Sequence, residues 1–419
     1  MATKSKKHMK TEVLVAGGGP SGLTMALLLA NAGLDVICVD QAQKSEQLKE
    51  SFDGRTTAIS AASKNVLAAA RIWDALEKDA CPILDIRVAD SDSPHFLHFA
   101  SDESDKGAFG WILENRVLRK ALFEAAEASP LTHLQPVKIE EFAYADDGKA
   151  VTATLSTGQV IEAQLLIGAD GRKSAARDWA GIGTVGWSYK QEAIVCCAQH
   201  ELDHENVAVE HFMPAGPFAI LPMMDTETGA HCSSIVWTEH GGDAKRYLEM
   251  GKKDFDAALQ EHFGDQLGKV KHLGTPMVYP LSLMHAKRYT APRLALIGEA
   301  AHAIHPIAGQ GLNLSMRDIA LLAEMVVDRR RVGLDIGAAT MLKTYQRLRK
   351  TDNLMMAAMT DGLNRLFSNN IPPVRFLRTR GMSMVNRLPP LKRFFAGQAM
   401  GFGGLGGRGL PRLLNGELL

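Results

Sequence analysis

The 419-residue chain is predicted to be an α/β protein in which a parallel sheet with nucleotide-type loops is interleaved with an antiparallel sheet and followed by C-terminal helices. Three observations support this. A short apolar strand, Thr11 to Ala16, runs straight into a glycine loop at Gly17-Gly18-Gly19-Pro20-Ser21-Gly22. A second glycine segment, Gly298 to Asn313, sits near the other end of the chain, between an apolar strand (Leu294 to Ile297) and an amphipathic helix running from about Leu312 into the 320s. Between Trp187 and Pro280 the pattern changes to alternation, with strands expected at Ala193 to Ala198, Val207 to Met213, Phe218 to Met223 and Cys232 to Trp237.

The N-terminal unit is the more specific of the two loops. Leu23 to Ala30 continues as a helix ending near Gly33, and Val36 to Val39 forms a second strand with Asp40 at its C-terminal end. This is a strand–GxGxxG–helix–strand–acid unit in full context, so a Rossmann-like dinucleotide site is expected. Gly17 permits the tight turn, Gly19 admits a pyrophosphate, and Gly22 lets helix pack on strand, with Pro20 and Ser21 between them. Asp40, followed by Gln41, can accept hydrogen bonds from an adenosine ribose and would repel a 2′-phosphate. At the second loop, glycines immediately before a helix let N–H groups approach a ligand, and the helix dipole favours negative charge there.

The glycine fingerprint alone does not separate NAD from FAD. Ser51 to Ile59 places Arg55 in a polar loop, suited to a phosphate or a flavin carbonyl. Leu165 to Ser174 is a strand ending in Gly168-Ala169-Asp170-Gly171, followed by a helix carrying Arg177, and Glu299 is a third strand-end acid. Strand-end carboxylates aimed at one crevice suit a ligand longer than NAD, with ribityl hydroxyls to satisfy.

Bulk properties bound the rest. Length favours two or three domains. With 46% hydrophobic and 22% charged residues and 47 basic against 47 acidic side chains, the chain reads as an ordinary globular protein, and no nucleic-acid partner is expected. Five cysteines without framework spacing suggest reduced thiols and a cytoplasmic location. Neither a signal peptide nor a transmembrane helix is visible. Gly362 to Leu419 is locally basic, with nine Arg/Lys (including Arg375, Arg378, Arg380, Arg387, Arg393, Arg408 and Arg412) against Glu417, interleaved with Phe367, Phe376, Met382, Met384, Phe394 and Phe395. That mixture suits an anionic membrane surface or a partner groove, or a helical appendage whose arginines snorkel over the core.

The glycine loop, the Gly-Ala-Asp-Gly segment and Gly298-Glu299-Ala300-Ala301-His302 with Pro306 and Gly309-Gln310-Gly311-Leu312-Asn313 resemble the three fingerprints of the aromatic-hydroxylating flavoprotein monooxygenases, typified by p-hydroxybenzoate hydroxylase. Asp53-Gly54-Arg55-Thr56-Thr57-Ala58-Ile59, Glu114 to Leu118, His305 to Asp318 and Gln398 to Gly401 resemble the ubiquinone-biosynthesis hydroxylases within that superfamily. The resemblance implies a Rossmann-like FAD-binding domain (1–75, 105–185 and 285–360), interleaved with an antiparallel-sheet substrate domain (76–104 and 186–284), and a C-terminal helical, basic region (361–419). It places Gly17, Gly19 and Gly22 on the FAD pyrophosphate, Asp40 on the ribose, and Arg55 at the pyrophosphate or flavin edge. Asn115 falls over the flavin–ribityl region. Asp170 and Gly171 belong to a motif for FAD and reduced nicotinamide, and Glu299 would bind ribityl hydroxyls. Pro306 would line the pocket beside the reactive flavin carbon, with Gly309 to Asn313 at the pyrimidine. Two departures stand out: relatives usually carry Glu where this chain has Asp40, and Asp where it has Glu299.

The implied chemistry belongs to the cofactor: a flavin C4a-hydroperoxide, formed from O₂ after reduction by NAD(P)H or another transient donor, oxygenates an electron-rich ring. The implied substrate is a polyprenylated phenol of ubiquinone biosynthesis, with a ubiquinone-biosynthesis complex as a possible partner. Gly216 to Pro222 is the expected pocket wall, with Phe218, Ile220 and Pro222, and Trp237 as a further candidate. Few charges interrupt that wall. His302 and His305 could relay protons or be structural, and His305 is placed with Pro306 on the flavin face. Met355, Met356 and Met359 are read as helix core. Cys196, Cys197, His200 and His204 scatter over both sheet faces, so no metal is expected. The alternatives are a flavin reductase or dehydrogenase of the same fold, and a non-catalytic flavoprotein scaffold.

Overall fold

A computed structural model describes residues 8–49, 55–90, 96–103, 107–369, 372–403 and 410–419. Ser51 to Gly54 and Arg408 lie outside the described residues, as do the side chains of Ala308, Arg375, Phe376 and Met382.

The first sheet is built on four parallel neighbours. His8–Ala16 pairs with Val160–Gly168 on one side and Val36–Val39 on the other, and Leu294–Leu296 adds beyond Val160–Gly168. Ala16 is level with Gly168 and Val39, and Gly168 with Leu296. The four strands therefore end together, and Gly17, Asp40, Asp170 and Glu299 emerge at one crevice, where open α/β sheets bind ligands. The helix Pro20–Asn31 is nearly all apolar and buried along its length. It lies between this sheet and the long helix Gln310–Arg331. Leu23, Met25, Leu27 and Leu29 are almost fully buried, each contributing about 1.5–3 kcal/mol relative to exposure. Pro20 starts the helix without wasting an N–H, after Gly19 in extended backbone.

The second sheet has eight strands, among them Asp85–Asp90, Thr184–His200, Val207–Met213, Gly216–Pro222, Cys232–His240 and Val270–Ala286. Two run 17 residues and pair along most of their length, longer than the alternation indicates. One face packs on helices Asp243–Leu248 and Lys252–Phe263, and the other borders a cavity shared with the loops of the first sheet. A small third sheet (Thr56–Ser60, Gly110–Glu114, Cys81–Ile83) bridges the two. Its Thr56 hydroxyl donates to the Ser234 hydroxyl at 2.7 Å.

Helix Ala339–Phe367 carries Met356 in the core, while Met355 is exposed and Met359 half-buried, so only one of the three methionines is core. Helices Pro372–Arg387 and Pro389–Ala399 follow. No helix among the described residues is long and apolar enough to cross a membrane. Several basic side chains of this region are taken up by acids elsewhere: Arg412 by Asp328, Arg365 by Asp361, and Arg378 by Asp90. The Arg378–Asp90 pair is almost fully buried at 2.6 Å, and Arg378 also donates to the carbonyls of Leu366, Phe367 and Asn369 at the end of the long helix. Arg378 therefore pins this region to the second sheet. Arg378→Ala strands the Asp90 charge and is expected to cost about 3–5 kcal/mol in denaturant unfolding; a loss under 1 kcal/mol would show that the pair does not anchor the region.

Candidate FAD and substrate site

The glycines of the first loop divide by the space around them. A Cβ on Gly17 (φ +103°) would lie 2.4 Å from the Ala169 carbonyl oxygen, and one on Gly22 would lie 1.9 Å from the Gly17 carbonyl oxygen. Both are glycine because backbone passes against backbone. A Cβ on Gly19 or Gly311 meets nothing within 4 Å. Gly19, Pro20 and Ser21 border a cavity of about 990 Å³, as do Arg55, Asn115, Gly171, Glu299, Pro306, Gly309, Gln310, Gly311, Leu312 and Asn313. The fold thus gathers residues from five separate segments of sequence.

Several details fit an extended, multiply hydroxylated anion. Asp170 accepts from the Ala176 N–H with Oδ2, while its buried Oδ1 has no partner among the described residues. Helix Gln310–Arg331 starts at Gly309 (φ +61°) with no side-chain cap and no acid in its first turn, leaving its N–H groups and dipole turned to the cavity. Arg172, which sequence reasoning passed over, donates to the Ser282 hydroxyl at 2.8 Å and lies 3.9 Å from the half-exposed Glu299 carboxylate. Arg55 lies over the Tyr279 ring, 4.8 Å from its centre. The residues present fit FAD.

Other placements differ from the sequence reading. Asp40 does not simply face outward: Oδ2 accepts from the Gly18 N–H and Oδ1 from the Ala42 N–H, both at 2.6 Å. Gln41 is exposed beside it and is not among the cavity-lining residues. The Asn313 amide is spent on backbone, accepting from the Ser60 N–H at 2.9 Å and donating to the Ala58 carbonyl at 2.9 Å. The Asn313 side chain is thus engaged by the protein itself.

His302 and His305 do not border the cavity. His302 Nε2 lies 2.6 Å from Asp318, and His305 is buried edge-on to Tyr189 with ring centres 5.0 Å apart. Burial lowers the His305 pKa to about 4, so the ring is neutral. Pro306 does line the cavity.

The pocket wall requires a correction of face. Phe218 and Ile220 pack with Trp237 against the helical layer, away from the cavity. Pro222 shares their parity on the strand, and none of these four side chains lines the cavity. Pro217, Ala219 and Leu221 do, with Val236 and Thr238 across from them. Both faces of these strands are apolar because both are buried, so alternation cannot tell them apart. On the same sheet His200 is bonded to the Ser233 hydroxyl and His204 to the Met223 carbonyl. Among the described residues no group of three or more metal-ligating side chains occurs.

Behind the second loop lies a buried ionic cluster. Asp318 Oδ2 accepts from the Gly298 N–H (3.0 Å) and from His302, and Oδ1 from Arg349 Nε (2.8 Å) and Asn353 Nδ2 (3.1 Å). Arg349 and Arg317 share Asp352. Burial alone would raise the Asp318 pKa, but His302 and Arg349 hold it well below the ordinary carboxylate range. Arg317–Asp318 is visible in the sequence only as part of the resemblance, because its partners lie on a different helix.

A Rossmann-type crevice opening into a cavity walled by an antiparallel sheet is the architecture of a flavoprotein, and the relatives make it a flavin-dependent hydroxylase. The sequence pattern of the FAD binding domain family matches residues 10–352. The ubiquinone hydroxylase UbiL of Rhodospirillum rubrum is 46% identical over 97% of this chain and 92% of its own. The 3-demethoxyubiquinol 3-hydroxylase of Escherichia coli is 36% identical over 94% of this chain and 99% of its own. The chain belongs to the ubiquinone-biosynthesis family of FAD-dependent hydroxylases. Among solved structures, p-nitrophenol 4-monooxygenase PnpA of Pseudomonas putida DLL-E4 shares the fold, with a TM-score of 0.77 at 18% identity over 95% of this chain and 99% of that one.

The glycine geometry separates two outcomes. Gly19→Ala should leave the thermal midpoint of the FAD-free protein unchanged while weakening FAD binding at least about tenfold, since only ligand space is invaded. Gly22→Ala should destabilise the FAD-free protein itself. Equal behaviour of the two in melting and flavin-fluorescence titrations would contradict the assignment.

Proposed function

We propose that this protein hydroxylates the aromatic ring of a prenylated phenol on the route to ubiquinone. The observation that carries this reading is the continuity of one cavity, from the pyrophosphate-type glycine loop to an apolar wall of Val195, Ala219, Leu221 and Val236 and on to Leu363, Phe367 and Val385. A polar cofactor and a greasy ring with a tail would thus share one continuous space. The relatives' names, a ubiquinone hydroxylase and a demethoxyubiquinol hydroxylase, support the same substrate class.

FAD, when bound, supplies electron transfer from NAD(P)H and activation of O₂. The chain's own tasks are narrower. The main chain at Gly19 to Ser21 would seat the pyrophosphate, with Gly17 and Gly22 shaping the turn behind it, and Glu299 would take ribityl hydroxyls. The helix start at Gly309 to Leu312 would stabilise negative charge on the ring system. Apolar strands of the second sheet would exclude water from the reacting face.

We further propose that the C-terminal helices dock on an anionic membrane and deliver substrate from it. Their inner side borders the apolar end of the cavity at Gly381, Val385 and Ala396. Outside, Met384, Leu388 and Phe394 are exposed alongside Arg387 and Arg393, the mixture that binds anionic interfaces. Replacing Met384, Leu388 and Phe394 by serine should abolish flotation with anionic liposomes while leaving FAD content unchanged; undiminished flotation would exclude this surface. For the reaction itself, the purified protein supplied with FAD, NAD(P)H, ¹⁸O₂ and a 2-prenylphenol should place one ¹⁸O atom on the ring. Oxidation of NAD(P)H without ring oxygen would contradict the proposal.

A further inference from the structure

One charge interrupts the apolar wall. Glu210 lies in Val207–Met213, opposite Ala219 on the neighbouring strand and Val88 on the other side, and its side chain borders the cavity. Among the described residues nothing hydrogen-bonds or ion-pairs with its carboxylate. The other charged groups on the cavity have partners. Arg378 is held by Asp90, Arg172 lies against Ser282 and Glu299, Arg119 donates to the Gln47 carbonyl, and Arg55 covers the Tyr279 ring. An unpaired carboxylate on an apolar wall costs stability unless a ligand uses it.

We propose that Glu210 hydrogen-bonds the ring hydroxyl of the phenol in this cavity and takes its proton as the ring is oxygenated. This rests on the ring-hydroxylase reading above. The O–H bond of the phenol breaks, its electron pair moves into the ring, and the proton forms an O–H bond on the carboxylate. One atom of O₂ enters the ring as a hydroxyl and the other leaves as water, with two electrons and one hydrogen supplied as hydride by the nicotinamide and two protons by solvent, one of which the ring carbon later returns. The ring carbon then loses its hydrogen as a proton, and Glu210 returns its own to the ring oxygen, restoring the aromatic hydroxyl.

Burial raises the Glu210 pKa to about 7, the range in which a carboxylate is present at neutral pH yet basic enough to accept a proton. Because the ionised form is the active one, hydroxylation should rise with pH through about 7.

The test uses the FAD-loaded protein in two measurements. Binding of a 2-prenylphenol and of its methyl ether is followed by the change in bound-flavin absorbance. The wild type should favour the phenol at least about tenfold, and Glu210→Leu should bind both alike. In turnover, Glu210→Gln should lower hydroxylated product per NAD(P)H consumed about a hundredfold, diverting the remainder to H₂O₂ and abolishing the rise near pH 7. Glu210→Asp should recover part of the loss. A phenol preference that survives in Glu210→Leu, or wild-type coupling in Glu210→Gln, would overturn the proposal. A preference for phenol that Glu210→Leu removes, with no ring oxygenation in the wild type, would instead overturn the hydroxylase reading and leave Glu210 as the phenol's partner.

Discussion

A single buried carboxylate ties the flavin end of the site to the rest of the molecule. Asp318 accepts hydrogen bonds from Gly298, His302, Arg349 and Asn353. Those four belong to the loop beneath the crevice, the short strand beyond it and the helix Ala339–Phe367, while Asp318 itself lies on the helix whose first turn opens on the cavity. Gly298 sits at φ +58°, and a Cβ there would lie about 3 Å from the hydroxyls of Ser21 and Ser315. Glycine is favoured at this left-handed φ and tight spacing, and its N–H is satisfied from behind by Asp318. Burying so many charges costs desolvation that hydrophobic replacements would avoid. What the ions contribute is position: each hydrogen bond has one geometry, so the loop that carries Glu299 has one too.

The same logic divides the cavity into two regimes. At the crevice, Gly19 to Ser21, Gly309 to Leu312 and Glu299 border the cavity, and their placement follows from the parallel register of the strands before them. Over the second sheet the lining is mostly apolar, with Glu210, Thr238, Tyr279 and Ser282 as polar side chains and Arg378 at the far end. A ring held between these regimes would meet the cofactor on one side and little water on the other. Arg378 lines the far end of the cavity and donates to the last carbonyls of the long helix.

Much of the first regime was legible in the sequence. Glycine loops, strand-end acids and the helix after Gly309 are local signals, and each names its own geometry; Gly17, Gly19 and Gly22 could be assigned distinct roles before any contact was known. The wall was not legible. Gly216–Pro222 is apolar at every position, so the pocket fell on Phe218, Ile220 and Trp237 when Pro217, Ala219 and Leu221 carry it. Glu210 was the available clue to the face, as a lone acid within Val207–Met213, and it passed unweighed. Asp318 could not be interpreted from sequence, because Arg349 and Asn353 lie a helix away and nothing in the spacing of charges announces which pair is buried. Asp40 was read as a ribose acceptor, while the fold also engages it with Gly18.

Asp318 is placed to set the flavin end of the site from behind, without lining the cavity. Asp318→Asn keeps the shape but removes the charge that holds Arg349 and His302. The most direct measurement is the FAD dissociation constant of this variant, taken with its unfolding free energy in the FAD-free state. The account predicts FAD binding weakened at least about tenfold together with a stability loss of about 3–5 kcal/mol. Wild-type FAD affinity in a destabilised variant would contradict it, because the loop would then be held without Asp318.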